Sequence, residues 1–207
     1  MKHIVIGLFC FSLLQAQIKE VKIGQQVWTA ENLHVFNFRN GDPIPIVKSN
    51  EEWQKAGENK QAAWCYFDND SSNGTKYGKL YNWYAVNDPR GLAPKGWHIP
   101  SDQEWTDLTN YLGGKEQVGA KMKSKKGWNE NGNGTNSSGF SGLPGGLRSS
   151  YGAFDVIGYY GYWWSSTKHD TFFAWNRSLR YYSLVMYAEV STLREDGFSV
   201  RCLRDSR

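Results

Sequence analysis

Three of the four histidines and one glycine-flanked serine have side chains suited to catalysis or metal binding. His34, His98 and His169 lie far apart and form neither an H-x-x-x-H nor an H-E-x-x-H pattern, in which one helix face presents two imidazoles to zinc. The stretch "GFSGL" at 139–143 lacks the final glycine of the G-x-S-x-G turn that exposes a serine nucleophile. We therefore expect no catalytic residues, no metal and no cofactor.

An acidic stretch, "DNDSSNG" at 68–74, offers several oxygen ligands close together, as calcium loops do. Its glycine falls one place late for an EF-hand, and Lys79 stands at the twelfth position, where a bidentate glutamate is needed. Asp, Asn, Ser and Gly are also the residues that turns use. The sequence therefore favours a polar turn over a calcium loop.

The N-terminus, "MKHIVIGLFCFSLLQAQ", has the pattern of a secretory signal peptide. Lys2 precedes an apolar run over 4–14, and Ala16 supplies the small residue expected before cleavage. We expect residues 1–16 to be a signal peptide and 17–207 to be a single exported domain without a membrane span. The formal net charge of +4 is too small and too scattered to indicate nucleic acid binding.

Cys65 and Cys202 remain after removal of this segment. In an exported protein an even pair favours a disulfide, which would close a long loop and restrict the unfolded chain. Two buried free thiols are the alternative, since two cysteines alone fix no geometry.

The clearest local signal is "GWHIPSDQEWTDLTNYLGG". Ser101 and Glu104 have the S-x-x-E spacing of a capping box, and a stripe of apolar residues follows before Gly113 ends the helix. A second short helix is predicted from near Ser49, and a third, buried one within "GKLYNWYAVNDP".

Strands are predicted elsewhere. Alternation over 18–35 around a Gly-Gln turn indicates an opening hairpin, "AAWCYF" a strand that runs into a polar turn, and "GYWWSST" a buried strand. The glycine-rich segment from Gly127 onward indicates looping ribbon without helices. In the closing strand "GFSVRCLRD", Phe198, Val200 and Cys202 are expected to face inward, and Arg201 and Arg204 to reach solvent.

Four stretches together, "YGKLYNWYAVNDPRGLAPKGWHIPSDQEW", "GTNSSGFSGLPGGLR", "GYWWSST" and "GFSVRCLRD", resemble the Fibrobacter succinogenes major paralogous domain. This is a family of exported bacterial proteins common in the Bacteroidota and Fibrobacterota. "GWHIPSDQEW" also resembles the "RLPTEAEW" segment of formylglycine-generating enzymes. The resemblance implies an α+β, C-type lectin-like domain with two main helices, short antiparallel strands and a long loop-rich half.

Parts of the related families' chemistry do not carry over. The redox-active cysteine pair of the formylglycine-generating enzymes has no equivalent, because Cys202 lies in the last strand. The calcium-binding tripeptides of sugar-binding C-type lectins are replaced by "LPGG" at 143–146 and "AWNR" at 174–177. We therefore expect a protein that is not an enzyme.

The segment "SLRYYSLVMYAEVSTLRED", residues 178–196, differs from the same segment in members of the resembled family, where asparagine predominates together with some lysine. Its position resembles the variable region of diversity-generating retroelement targets, where a lectin-like fold displays altered residues. Tyrosine supplies rigid, amphipathic contact area at low entropic cost, as in antibody paratopes. The expected ligand-binding residues are Trp175, Asn176, Arg180, Tyr181, Tyr182, Leu184, Met186 and Tyr187.

Three alternatives remain open for this segment and for the protein. The first is an ordinary buried strand face, formed by Tyr182, Leu184, Met186, Ala188 and Val190. The second is an extracellular enzyme or accessory module acting on polysaccharide, whose aromatic side chains stack on sugar rings. The third is a purely structural surface protein. The favoured function is an exported, non-catalytic protein that binds an unknown protein or glycan at the cell surface.

Overall fold

The structure is a computed structural model that describes residues 18–206. The expected signal peptide, residues 1–16, lies outside the described residues. Between residues 18 and 206 the helices are α1 (Asn50–Glu58), α2 (Ser71–Tyr77), α3 (Trp83–Val86), α4 (Asp102–Tyr111) and α5 (Val118–Met122), with one 3-10 turn at Phe67–Asn69. No helix within this range is long and apolar enough to cross a membrane.

The strands are short except for three near the C-terminus. They are β1 (Glu20–Ile23), β2 (Gln26–Thr29), β3 (Trp64–Cys65), β4 (Leu80–Tyr81), β5 (Trp97–His98), β6 (Leu147–Arg148), β7 (Phe154–Asp155), β8 (Tyr160–Lys168), β9 (Phe173–Arg180), β10 (Met186–Leu193) and β11 (Leu203–Arg204). They form sheets in the orders β1-β2-β11-β5, β10-β9-β8, β3-β4 and β6-β7. The chain is therefore a mixed α/β protein with several small antiparallel sheets, which agrees with the predicted α+β class at that level.

The two ends of the described chain meet in one sheet. The predicted opening hairpin is confirmed as β1 and β2, and Leu203 of β11 pairs with Trp28 on one side and His98 on the other. The closing strand is shorter than expected, because only Leu203–Arg204 keeps strand geometry. Phe198, Val200 and Cys202 are buried, as predicted.

The capping box at the start of α4 is confirmed. The Ser101 hydroxyl accepts a hydrogen bond from the Glu104 backbone N–H at 3.3 Å, and the Glu104 carboxylate accepts one from the Ser101 N–H at 2.8 Å. Trp105 and Leu108 on the inner face of the helix are buried. The helix from near Ser49 is also confirmed, because Ser49 caps α1.

The segment 68–77 differs from the prediction of a polar turn. Asp70 caps a short helix there, since its carboxylate accepts hydrogen bonds from the Ser72 N–H at 2.8 Å and from the Ser72 hydroxyl at 2.7 Å. These bonds lower the pKa of Asp70. In the next segment the expected helix is confirmed only for Trp83–Val86, since Leu80–Tyr81 pairs with β3 as a strand.

Tryptophan fills the interior. Trp28 and Trp105 lie with ring centroids 4.7 Å apart, and the edge of Phe140 packs against both rings and against Trp163. Trp164 stacks on Phe198 at 4.4 Å in a neighbouring cluster. The buried strand predicted for "GYWWSST" is confirmed as part of β8.

Buried cations stabilise the irregular loops by binding backbone carbonyls. Arg148 is fully buried and donates to the carbonyl oxygens of Val47 at 2.7 Å, Lys48 at 2.8 Å and Ser49 at 2.9 Å. Arg201, which we expected to reach solvent, is 1% exposed. Its guanidinium instead bonds neutral oxygens. The inward and outward alternation of side chains along the closing strand therefore does not predict whether Arg201 is buried.

The two cysteines do not form the expected disulfide. Cys65 and Cys202 are free and buried, and they lie in different hydrophobic clusters. Burial raises the pKa of each thiol to about 12. The structure therefore has the alternative arrangement, two buried free thiols that pack as small apolar side chains.

Candidate functional site

The structure divides the eight expected ligand-binding residues into three groups. Tyr182 and Leu184 are exposed, at 59% and 47%. Asn176 and Met186 are buried, which corrects the expectation that they lie on the surface. The half-buried residues are Trp175, Arg180, Tyr181 and Tyr187.

The two buried residues have structural contacts that explain their positions. Asn176 lies in the central strand β9, and its amide nitrogen donates to the Thr192 hydroxyl at 2.6 Å. Met186 packs in the cluster around Trp105, where its sulfur accepts a hydrogen bond from Thr109 at 3.6 Å. Neither side chain is available to a partner.

Trp175 lies apart from the other expected residues. Its ring is 6.2 Å from that of His169, near the opposite end of β9 from Arg180. Side chains separated by an odd number of positions on a strand point to opposite faces. We therefore exclude Trp175 from the surface that the tyrosines form.

That surface, called here the tyrosine face, consists of Tyr159, Tyr160, Arg180, Tyr181, Tyr182 and Tyr187. Tyr160 pairs with Arg180 across the β8–β9 ladder, so the tyrosine pair 159–160 at the start of β8 lies beside the pair 181–182 that follows β9. Ring centroids are 5.3 Å apart for Tyr159 and Tyr181, and 5.1 Å for Tyr181 and Tyr182. The resulting patch combines residues about twenty positions apart.

Arg180 lies at the centre of the tyrosine face. Its guanidinium is 4.0 Å from the Tyr187 ring centroid and 2.8 Å from the Glu189 carboxylate. It also donates a hydrogen bond to the Tyr182 hydroxyl at 3.2 Å. This bond, with one from Tyr160, lowers the pKa of Tyr182, whereas desolvation raises the pKa of Tyr160. Glu189 therefore partly neutralises the Arg180 guanidinium, which remains in cation–π contact with the Tyr187 ring.

The backbone of the connection between β9 and β10, residues 181–185, is fixed by hydrogen bonds from buried groups. The buried ammonium group of Lys123 donates to the carbonyl oxygens of Arg180, Tyr181 and Ser183 at 3.3, 3.2 and 3.0 Å. The Gly119 N–H donates to the Leu184 carbonyl at 2.7 Å. These anchors fix the backbone of a connection in which the Tyr182 and Leu184 side chains are exposed.

Glycine is required where two segments meet this connection. A Cβ on Gly119 would lie 2.5 Å from the Leu184 carbonyl oxygen, and one on Gly132 would lie 2.7 Å from Tyr181. Sequence reasoning missed Gly119, Gly132 and Lys123, because their partners lie about fifty positions or more along the chain. The sequence signal that could have indicated such close backbone contacts was the high glycine content of this part of the chain.

The alternative of an ordinary buried strand face for this segment is wrong in most positions. Tyr182, Leu184 and Ala188 are exposed, Val190 is half-buried and Met186 is buried. The strand β10 begins only at Met186, so the residues before it follow the connection and not the strand alternation.

The histidines occupy separate places. His98 lies between the carboxylates of Asp205 at 2.8 Å and Glu104 at 2.9 Å. Partial burial lowers the pKa of His98, but these hydrogen bonds outweigh it and raise the pKa overall. His34 contacts the Tyr66 hydroxyl at 3.0 Å. Residues 18–206 contain no group of three His, Cys, Asp or Glu side chains arranged to hold a metal ion.

The fold and this surface define a mixed α/β protein with a rigid aromatic patch on a three-stranded antiparallel sheet. The sequence model of the Fibrobacter succinogenes major domain matches residues 21–204, and the chain belongs to that family. Neither the search of curated proteins nor the search of solved structures returned a match.

Proposed function

We propose that this protein is an exported, non-catalytic binding protein that captures a protein or glycan ligand with the tyrosine face. The observation that carries the proposal is the combination of exposed aromatic side chains with a fixed backbone beneath them. Tyr182 is 59% exposed, yet the carbonyls of the adjoining connection are bound by Lys123.

Such an arrangement suits recognition for physical reasons. Tyrosine has few rotatable bonds and presents an apolar ring together with a hydroxyl, so it gains contact area at low entropic cost. A backbone that is ordered before binding avoids part of the ordering cost of association. Tyrosine and arginine are also, with tryptophan, the residues most enriched at binding hot spots.

The C-type lectin-like fold and the relation to formylglycine-generating enzymes belong to this proposal. Paired terminal strands, two longest helices (α1 and α4) and a loop-rich half support the first. The segment "GWHIPSDQEW" forms β5 and the capped start of α4, which supports the second.

We also propose that 178–196 is a diversified segment. Two of its exposed side chains, Tyr182 and Leu184, lie on an anchored connection where replacement disturbs few buried contacts. Sequencing the locus in related isolates tests this. Variation confined to 178–196, with a nearby reverse transcriptase and an adenine-rich near-copy, is expected, whereas an invariant segment without either element would contradict diversification.

The binding proposal is tested with an array of plant and host glycans and a panel of purified bacterial surface proteins. The variant Y159A/Y182A removes the two exposed tyrosines of the tyrosine face. It is compared with Y111A/Y151A, which removes two tyrosines that are 67% and 74% exposed elsewhere. We expect the first variant to lose ligand capture by about tenfold or more and the second to keep it. Equal capture by both variants would overturn the assignment of the tyrosine face.

The alternative of a polysaccharide-acting enzyme is separated by a turnover assay on the same glycans. Product formation that disappears on replacement of a single Asp or Glu would favour the enzyme. Binding without turnover would favour the binding protein.

A further inference from the structure

A second candidate binding site is a cavity of about 710 Å³ between the segment after β2, helix α2 and residues 124–126. It shares no lining residue with the tyrosine face. Its volume lies within the range of small-ligand sites.

The cavity is lined by more positive than negative charge. Lys76, Lys125, Lys126 and Arg201 contribute cations, and Glu31 contributes one carboxylate. Glu31 already pairs with Lys19 at 2.8 Å. The three lysines are exposed on the rim, whereas Arg201 lies in the wall.

Arg201 is a buried cation whose hydrogen bonds, within residues 18–206, go to neutral oxygens. Its guanidinium donates to the Asn32 side-chain oxygen at 2.7 Å, the Thr29 carbonyl at 2.7 Å and the Ser141 carbonyl at 3.3 Å. A guanidinium carries five N–H groups, so these bonds leave donors over. The nearby Glu31 carboxylate offsets part of this positive charge. The remainder lies in a concave wall of low dielectric, which strengthens the attraction of the cavity for anions.

Neutral polar groups and one apolar side chain complete the lining. Thr75 offers a hydroxyl, and Leu143 offers an apolar surface. The Ser124 hydroxyl already donates to the Lys126 carbonyl, and the Asn136 amide already bonds Ser141, so each has only part of its hydrogen-bonding capacity left. Hydroxyls and amides hydrogen-bond sugar hydroxyls, and lysine and arginine bind carboxylates. A simple inorganic anion would leave most of the cavity unfilled.

We propose that this cavity binds an acidic saccharide, with the carboxylate of a uronic acid at the rim lysines near Arg201 and the sugar ring against Leu143. The site is independent of the tyrosine face and would remain if that face had no ligand.

The test is calorimetric titration of the full chain with a galacturonic acid tetrasaccharide. Its fully methyl-esterified form is the matched neutral control. We expect saturable binding of the acid that weakens with added salt, and no measurable binding of the ester. Equal binding of acid and ester, or no heat from the acid at millimolar concentration, would overturn the proposal.

Variants locate the binding. K76Q/K125Q/K126Q removes the three exposed rim cations and leaves Arg201 in place, so the fold is retained. K48Q/K55Q/K95Q makes the same change in charge at exposed lysines outside the cavity. We expect the rim variant to bind at least about tenfold more weakly and the control variant to bind like the parent chain. An equal loss in both variants would show nonspecific charge attraction and overturn the site.

Inorganic phosphate separates a saccharide site from a simple anion site. We expect phosphate to displace the tetrasaccharide only at phosphate concentrations well above the concentration at which the tetrasaccharide saturates the cavity. Tighter binding of phosphate than of the tetrasaccharide would overturn the saccharide assignment. Y159A/Y182A should bind the tetrasaccharide like the parent chain, which separates this site from the tyrosine face.

Discussion

The ammonium group of Lys123 lies 3.0 Å from the carbonyl oxygen of Ser183, in the connection that carries the exposed end of the tyrosine face. Lys123 is 2% exposed and its partners are neutral oxygens, so burial lowers its pKa. This contact links α5 and the segment after it to the connection between β9 and β10. It stabilises a backbone that otherwise has few buried side chains.

Replacement of Lys123 by methionine should loosen that connection. The carbonyls of Tyr181 and Ser183 would lose a charge-assisted donor, so we expect a loss of about 1–3 kcal/mol in the free energy of unfolding. Urea denaturation measures this loss. Amide hydrogen exchange should accelerate within 181–185 before it does elsewhere. K48M, at an exposed site, is the control, and an unchanged exchange rate in K123M would contradict the anchoring role.

Replacement of Arg148 by lysine should destabilise the whole domain. Lysine keeps the charge but cannot reach the carbonyls of Val47, Lys48 and Ser49 together, as the planar guanidinium does. We expect a loss of roughly 2–4 kcal/mol, measured by urea unfolding. R204K changes an exposed arginine in the same way and should cost less than about 1 kcal/mol. Similar losses in both variants would refute the carbonyl-binding role.

Asp196 should make stability fall as pH rises. Its carboxylate is largely buried and accepts a hydrogen bond from the Ser150 N–H at 2.8 Å. Burial raises its pKa from 3.8 to about 7, and the neighbouring Glu195 adds to this effect. Between these two values the folded state holds a proton that the unfolded chain has lost, so its contribution to stability decreases as pH rises toward 7.

The variant D196N removes this titration. We expect it to match the parent chain at low pH and to be more stable by about 2 kcal/mol above pH ~7. Thermal unfolding across the pH range checks this. D170N is the control with the opposite pH dependence. The Phe173 and Phe172 N–H groups lower the pKa of Asp170, so its contribution to stability is lost as pH falls. A gain for D196N that is independent of pH would contradict the assignment.

His98 should contribute stability at acidic pH. Its raised pKa means that the folded state binds the proton more tightly than the unfolded chain does. The contribution is complete below the unfolded pKa and is lost as pH rises through the folded value. H98Q should therefore lower Tm more at pH ~5.5 than at pH ~8, with H169Q as the matched histidine replacement. A pH-independent difference would show that His98 acts through packing alone.

The elements predicted correctly from sequence are those whose partners lie close along the chain. The capping box joins Ser101 to Glu104 across three positions, and the opening hairpin closes over a two-residue turn. Local hydrogen bonds of this kind are encoded by residue type and spacing. The polar segment at 71–77 was misjudged because Asp, Ser and Asn serve both turns and helix caps.

The sequence by itself determined the family, the α4 helix, the buried strand β8 and the aromatic character of the segment 178–196. Only the tertiary structure decided which of those aromatic side chains are exposed and which arginine and lysine side chains are buried. Arg148 bonds the Val47 carbonyl across 101 positions, and Lys123 bonds the Ser183 carbonyl across 60. In a loop-rich chain the burial of a side chain depends on carbonyl groups supplied by distant segments, and neither periodicity nor composition records which segments those are.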